Sequence, residues 1–324
     1  MSRYYTGPVT DHFDGKRFDG PVKSGGKSTR DLLKWQLSGE RAKWPASVEN
    51  GVHPVPPQRV DGDAIRFTMI GHVSVLVQTA GLNILTDPVW STRASPVQFA
   101  GPKRVRAPGI ALTELPPIDL VLVSHNHYDH LDIATLASLV DAHDPFIITP
   151  LGNDKIIQKY APRARIKAVD WDDSVKVGDV IIDTEPVNHW SARRGNDRNE
   201  ALWCGFTICA PGGRIFFNGD SGFADGWWVK RLMAKHGHID AAMLPIGAYA
   251  PRWFMADAHM DPDEAVLTHQ MMGGPKTLGF HWGTFQLTDE PMMEPVERLN
   301  AALHREGISP ELFRTLEPGE GWVL

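Results

Sequence analysis

Cysteine is nearly absent from the chain: Cys204 and Cys209 are the only two in 324 residues, too few for a disulfide framework. They lie in LWCGFTICA, which alternates like a strand, and a separation of five puts them on opposite faces, which argues against a bridge between them. Both read as buried free thiols with no metal attached. Long hydrophobic runs are missing too, since no stretch approaches the ~20 uninterrupted apolar residues of a spanning helix. MSRYYTGPVTDHFDG has no apolar segment after its charged start, so no leader or anchor is expected and the chain reads as cytoplasmic. Nor is there a run of like charge. With 33 Lys and Arg against 39 Asp and Glu the net charge is −6, which disfavours a sequence-blind grip on nucleic acid.

What is there fits a globular chain: 42% hydrophobic and 22% charged residues exclude disorder, collagen and coiled coil. Residues 1–60 are rich in Gly, Pro and charge and read as an extension that wraps a core. Their one helical candidate is DLLKWQLSGERAKW, behind an N-cap signal at Ser28-Thr29. Gly26-Lys27-Ser28 suggests a phosphate loop, but Pro21 stands where that pattern needs its first Gly and no strand precedes it, so the motif is rejected. From residue 61 onward, β-rich runs (AIRFTMI, VSVLVQT, LNILTD, DLVLVSH) give way to strands alternating with helices such as DIATLASLVDAH, DPDEAVLTHQMM and EPVERLNAALHREG. The expectation is one catalytic domain, 61–324, of α/β (α+β) class built in layers.

Fourteen histidines demand an explanation, and the densest group is VLVSHNHYDHLD. His125, His127, Asp129 and His130 follow an apolar strand directly. In a looped backbone His125 and His127 share a side, while Asp129 and His130 address a second point nearby, the geometry of two adjacent metals. Imidazole and carboxylate without thiolate suit zinc, with iron or manganese as alternatives. Two ions need more ligands, and three residues at the ends of later strand-like runs supply them: His189 after VIIDTEPVN, Asp220 in RIFFNGD and His281 after TLGF.

This order of residues resembles the dinuclear site of the metallo-β-lactamase superfamily. GHVSVLVQTAGLNILTDPVWSTRASPVQFAGPKRVRAPGI, ELPPIDLVLVSHNHYDHLD, GAYAPRWFMADAHMDPDEA and FHWGTFQLTDEP narrow the likeness to the N-acyl-phosphatidylethanolamine-hydrolysing phospholipase D branch, over most of the chain. The resemblance implies a four-layer αββα sandwich. It also implies one metal on His125, His127 and His189, a second on Asp129, His130 and His281, and Asp220 bridging them. Asp87, in ILTDPV, would orient a ligand histidine from behind. His72 also matches a family position and would pack or support the site.

The implied reaction is attack on phosphorus or carbonyl by a hydroxide shared between two divalent cations, with Asp220 orienting or deprotonating the water. Asp129, Asp220 and His259 are the candidate catalytic residues, His259 as a phosphate partner or proton donor to the leaving group. Tyr128 and His259 match positions that lie against substrate in the lipase branch. Arg193 and Arg194 are candidate phosphate partners, with a solvated loop as the plainer reading. Trp253, with Phe254 and Met255, is a candidate lip. The expected substrate is a small-molecule or lipid phosphodiester, met through peripheral membrane contact for which DLLKWQLSGERAKW is the only candidate helix; homo-oligomerisation is left open. A lactonase like the ascorbate-6-phosphate branch keeps the metals and changes the substrate. An RNA-processing nuclease is disfavoured by charge, and a silent metal-binding protein by the presence of every expected ligand.

Overall fold

The computed structural model describes residues 1–22, 27–39 and 41–324; Gly26 of the rejected phosphate-loop motif lies outside them. The extension carries α1 (Thr29–Gln36). There follow β1 (Ile65–Gly71), β2 (Ser74–Thr79), β3 (Leu82–Thr86), β4 (Leu120–Leu122), α2 (Ile133–His143), β5 (Phe146–Pro150), α3 (Asn153–Tyr160) and β6 (Arg165–Val169). The second half comprises β7 (Ser174–Val177), β8 (Val180–Glu185), β9 (Gly205–Ala210), β10 (Gly213–Phe217), α4 (Trp227–His236), β11 (Ala241–Pro245), α5 (Arg252–Met255), α6 (Pro262–Met271), β12 (Lys276–Phe280), α7 (Glu294–Arg305), β13 (Phe313–Thr315) and β14 (Gly321–Val323). Among the described residues the strands form two seven-stranded sheets, ordered β14-β1-β2-β3-β4-β5-β6 and β13-β12-β11-β10-β9-β8-β7.

Both sheets are covered on both faces, which is why their central strands are near-continuous apolar runs. Phe67, Val75, Val77, Ile84 and Leu122 of the first sheet meet Phe206, Ile208, Phe217, Met243 and Phe280 of the second in one core. Alternate residues turn outward. Ile70, Leu76, Val121 and Ile147 pack under Leu136, Leu139 and Ile157 of α2 and α3, and Phe216, Ala242 and Leu244 under Trp228, Val266 and Leu299 of α4, α6 and α7. Each of the Val, Leu, Ile, Phe and Met side chains among them contributes about 1.5–3 kcal/mol when fully buried. The result is the four-layer αββα sandwich that the resemblance implied.

The described residues of the extension run around this sandwich. Phe13 and Phe18 enter the apolar layer outside the second sheet, Tyr4 donates from its hydroxyl to Asp197 at 2.7 Å, and the Trp35 indole donates to Asp289 at 2.6 Å. Arg59 pairs with Asp119. Three details differ from the sequence reading. α1 stops at Gln36 rather than continuing to Trp44, because Gly39 turns the chain through a left-handed φ of 70°. β7, β13, β14 and α5 are too short to show a period. Cys204 is buried between the sheets, whereas Cys209 is only half-buried. Among the described residues no helix is long and apolar enough to cross a membrane.

Candidate metal centre

β3 and β4 run parallel in one sheet. β10, β11 and β12 run parallel in the other, and β8 joins their direction through antiparallel β9. The segments leaving these strand ends carry Asp87, His125, His189, Asp220 and His281, so the topology delivers side chains from both sheets to one end of the sandwich, where ligands bind in such folds. Asp132 caps α2, accepting from the Ala134 and Thr135 amides. That helix start closes the His125–His130 loop, whose turn is held by the His130 and Leu131 amides donating to the His127 carbonyl.

Two groups of ligand-competent atoms result. His127 Nδ1 lies 2.8 Å from His125 Nε2 and 3.3 Å from His189 Nε2. His130 Nε2 and His281 Nε2 lie 3.0 and 3.2 Å from Asp220 Oδ2, and 3.5 and 3.3 Å from Asp129 Oδ2. Asp220 stands between the groups, since its Oδ2 is also 3.9 Å from His189 Nε2. All seven side chains named from the sequence therefore come together here.

Hydrogen bonds on the far side of each ring reveal what the near side offers. Ser124 Oγ donates to Asp87 Oδ2 at 2.6 Å and so accepts from His125 Nδ1 at 2.9 Å. Asp87 also accepts from His130 Nδ1 at 2.7 Å, and the Ala258 carbonyl accepts from His189 Nδ1 at 2.9 Å. A carbonyl or carboxylate only accepts, so these rings carry their proton on Nδ1 and present a bare Nε2 lone pair inward. A bare lone pair 3.0 Å from a carboxylate oxygen repels it unless a cation lies between. His130 Nε2, His281 Nε2 and Asp220 Oδ1 are buried without any hydrogen bond. The donor set thus fits divalent metal, with no thiolate, at two points.

Electrostatics agree. Burial opposes ionisation of Asp129 and Asp220, yet the surrounding imidazoles, His130 foremost, hold both carboxyls well below the usual range. Burial also disfavours charge on His130 and His281, and the two aspartates overcome it, raising His281 to about 9. His125, His127 and His189 are pushed down by burial first.

Other predicted residues fall differently. Asp87 sits behind His130 as expected, and its backbone has a φ of 30°. His72, with a φ of 57°, places Nε2 3.0 Å from Asp129 Oδ2 and its ring 4.2 Å from that of His281, so it touches the second group directly. Such left-handed backbone, shared by His281 at 65°, persists only where surroundings over-determine it. His259 Nδ1 is buried, unpartnered and 3.9 Å from Asp220 Oδ2.

Arg193 is not a free phosphate partner: its guanidinium donates to the Asn126 and Leu131 carbonyls at 2.9 and 2.8 Å and stacks on Tyr128. Tyr128 in turn donates to the Arg193 carbonyl at 2.8 Å. Both brace the ligand loop, and with exposed Arg194 they line a cavity of about 730 Å³ to which none of the seven candidate ligands contributes. Trp253 is exposed on α5, its ring 5.6 Å from that of Phe254 and covered by Lys34. Sequence reasoning missed Ser124 and also Trp190, whose ring lies 4.4 Å from that of His127. Position next to a ligand was the only signal for either.

The family model described as a beta-lactamase superfamily domain matches residues 82–282, a span holding Asp87 and all seven candidate ligands. The chain belongs to the metallo-β-lactamase superfamily. It is a metal-dependent hydrolase. It is 38% identical to N-acyl-phosphatidylethanolamine-hydrolyzing phospholipase D 1 of Caenorhabditis elegans, over 79% of this chain and 74% of that one. With the mitochondrial N-acyl-phosphatidylethanolamine-hydrolyzing phospholipase D of Saccharomyces cerevisiae it shares 34% identity over 72% of this chain and 52% of that one. The superfamily fold recurs in an isothiocyanate hydrolase from Delia radicum gut bacteria, at a TM-score of 0.63 and 20% identity, covering 79% of this chain and 98% of the other.

Proposed function

We propose that the protein is a dinuclear phosphodiesterase of phospholipase D type, acting on N-acyl-phosphatidylethanolamine-like lipids or related organic phosphodiesters. The observation that carries the two-metal reading is the convergence of His130 and His281 Nε2 on Asp129 and Asp220, beside a second group in which His125, His127 and His189 converge on one another. Relatives of that named activity at 34% and 38% identity support the substrate class.

His125, His127 and His189 would hold one divalent cation, Asp129, His130 and His281 the other, and Asp220 both; zinc fits these donors best. Such a pair, when bound, supplies an acidified water as nucleophile and takes up charge developing on the phosphoryl oxygens. Asp220 orients that water through a carboxylate already kept ionised. Asp129 is fixed by His72, and Asp87 fixes the ring of His130. His259, uncharged because burial lowers it to about 3, accepts a hydrogen bond or passes a proton beside Asp220. Residues 1–60 act as an extension of the catalytic domain 61–324 rather than a separate unit, and α1 with Trp253 is the face for peripheral lipid contact.

The test is metal analysis together with hydrolysis of bis(p-nitrophenyl) phosphate, N-acyl-phosphatidylethanolamine and a simple lactone, before and after chelation. At least two metals per chain, two of them lost with activity on chelation, and chelator-sensitive release of phosphatidic acid are expected. Lactone cleavage without diester cleavage would overturn the substrate class.

A further inference from the structure

We propose that Asp183, Cys209 and His236 form a separate site for one zinc-class cation on the outer face of the second sheet, clamping the end of α4 to β8 and β9. Asp183 and Glu185 are two apart on β8 and share a face. The register pairs Asp183 with Thr207 and Ile181 with Cys209, which puts Cys209 on that same face. His236, in the last turn of α4, comes down on it. One ligand-competent atom from each of Asp183, Cys209 and His236 lies within 4.8 Å of the other two. Tetrahedral zinc sets its ligand atoms roughly 3.5 Å apart, so closure asks for side-chain movements of about 1 Å.

A second observation points to a missing cation. Glu185 Oε1 is crowded by His236 Nε2 at 2.6 Å, Lys235 Nζ at 3.1 Å and Thr207 Oγ1 at 3.1 Å. Its Oε2 is buried with no partner, in a residue only 2% exposed. Two carboxylates are therefore held under the helix against one fixed positive charge, Lys235. A divalent ion with a Cys209 thiolate would bring the cluster to neutrality. The donor set of one sulfur, one imidazole and a carboxylate suits zinc and excludes magnesium and calcium. Ions have a route in, since Cys209 is half-buried and lines an open cleft with Asp179, Arg214 and His238.

The thiolate makes the site separable from the dinuclear centre, where every donor is nitrogen or oxygen. In the full-length protein loaded with Co²⁺, the expected result is a near-ultraviolet thiolate-to-cobalt charge-transfer band and about one metal beyond those held by the histidine cluster. Cys209→Ser should abolish the band and release about one equivalent while diesterase activity stays unchanged, and His236→Gln should weaken binding at least tenfold. Absence of the band in the wild-type protein, or its survival in Cys209→Ser, would overturn the proposal. Because the band reports sulfur alone, a failed diesterase assay leaves this result readable.

Discussion

Asp220 Oδ2 is the atom nearest to ligand nitrogens of both groups, lying within 4 Å of His130, His189, His259 and His281. Asp220→Asn keeps the shape and removes the charge. Turnover should fall by roughly 10²–10³-fold or more with the circular dichroism spectrum unchanged; retained activity would remove Asp220 from the chemistry. Asp87 works one step back, accepting from His130 and from Ser124, which itself holds His125. Asp87→Ala should therefore weaken metal binding about 10–100-fold in a competitive titration. Substituting Arg193 should act through the Asn126 and Leu131 carbonyls rather than through substrate charge.

Strand ends and their turns set where these atoms sit. Gly219 has a φ of 63°, and a Cβ there would come 2.7 Å from Ser124 Cβ. Gly219→Ala should cost about 1–3 kcal/mol in thermal unfolding and also lower metal content, because Ser124 cannot give way without releasing Asp87 and His125. The extension is pinned by His12 between Asp170 and Asp11, and the hydrogen bond to Asp170, against burial, raises the imidazole above its ordinary value. That stabilisation is complete below the unfolded value near 6.5 and fades as pH rises through the raised folded one. The stability gap between wild type and His12→Asn should accordingly be wider at about pH 6 than at about pH 9. Apolar period and turn residues made the long strands, α2, α6 and α7 legible in advance, and the ligand residues were legible because each follows such a strand. α1 was overextended because LLKWQLSGERAKW keeps an amphipathic rhythm past the break at Ser38-Gly39. The roles of Arg193, and the meeting of Asp183, Cys209 and His236, depend on contacts between distant segments that no local pattern encodes.

The sandwich buries a core on three levels, between the sheets and outside each. It should stay folded without metal and gain stability on loading, by about 2.7 kcal/mol at a hundredfold excess over Kd. Calorimetry with and without chelator checks this, and unfolding of the stripped protein at room temperature would contradict it. Only the His125–His130 loop is local in sequence; the remaining donors, His189, Asp220 and His281, arrive from later strands of the opposite sheet. A chain still being made offers a passing ion an incomplete and movable set of imidazoles. Choice of metal therefore falls after folding, when rigid strand ends fix the spacing, and the ion retained is decided by fit to a finished frame rather than by which one arrived first.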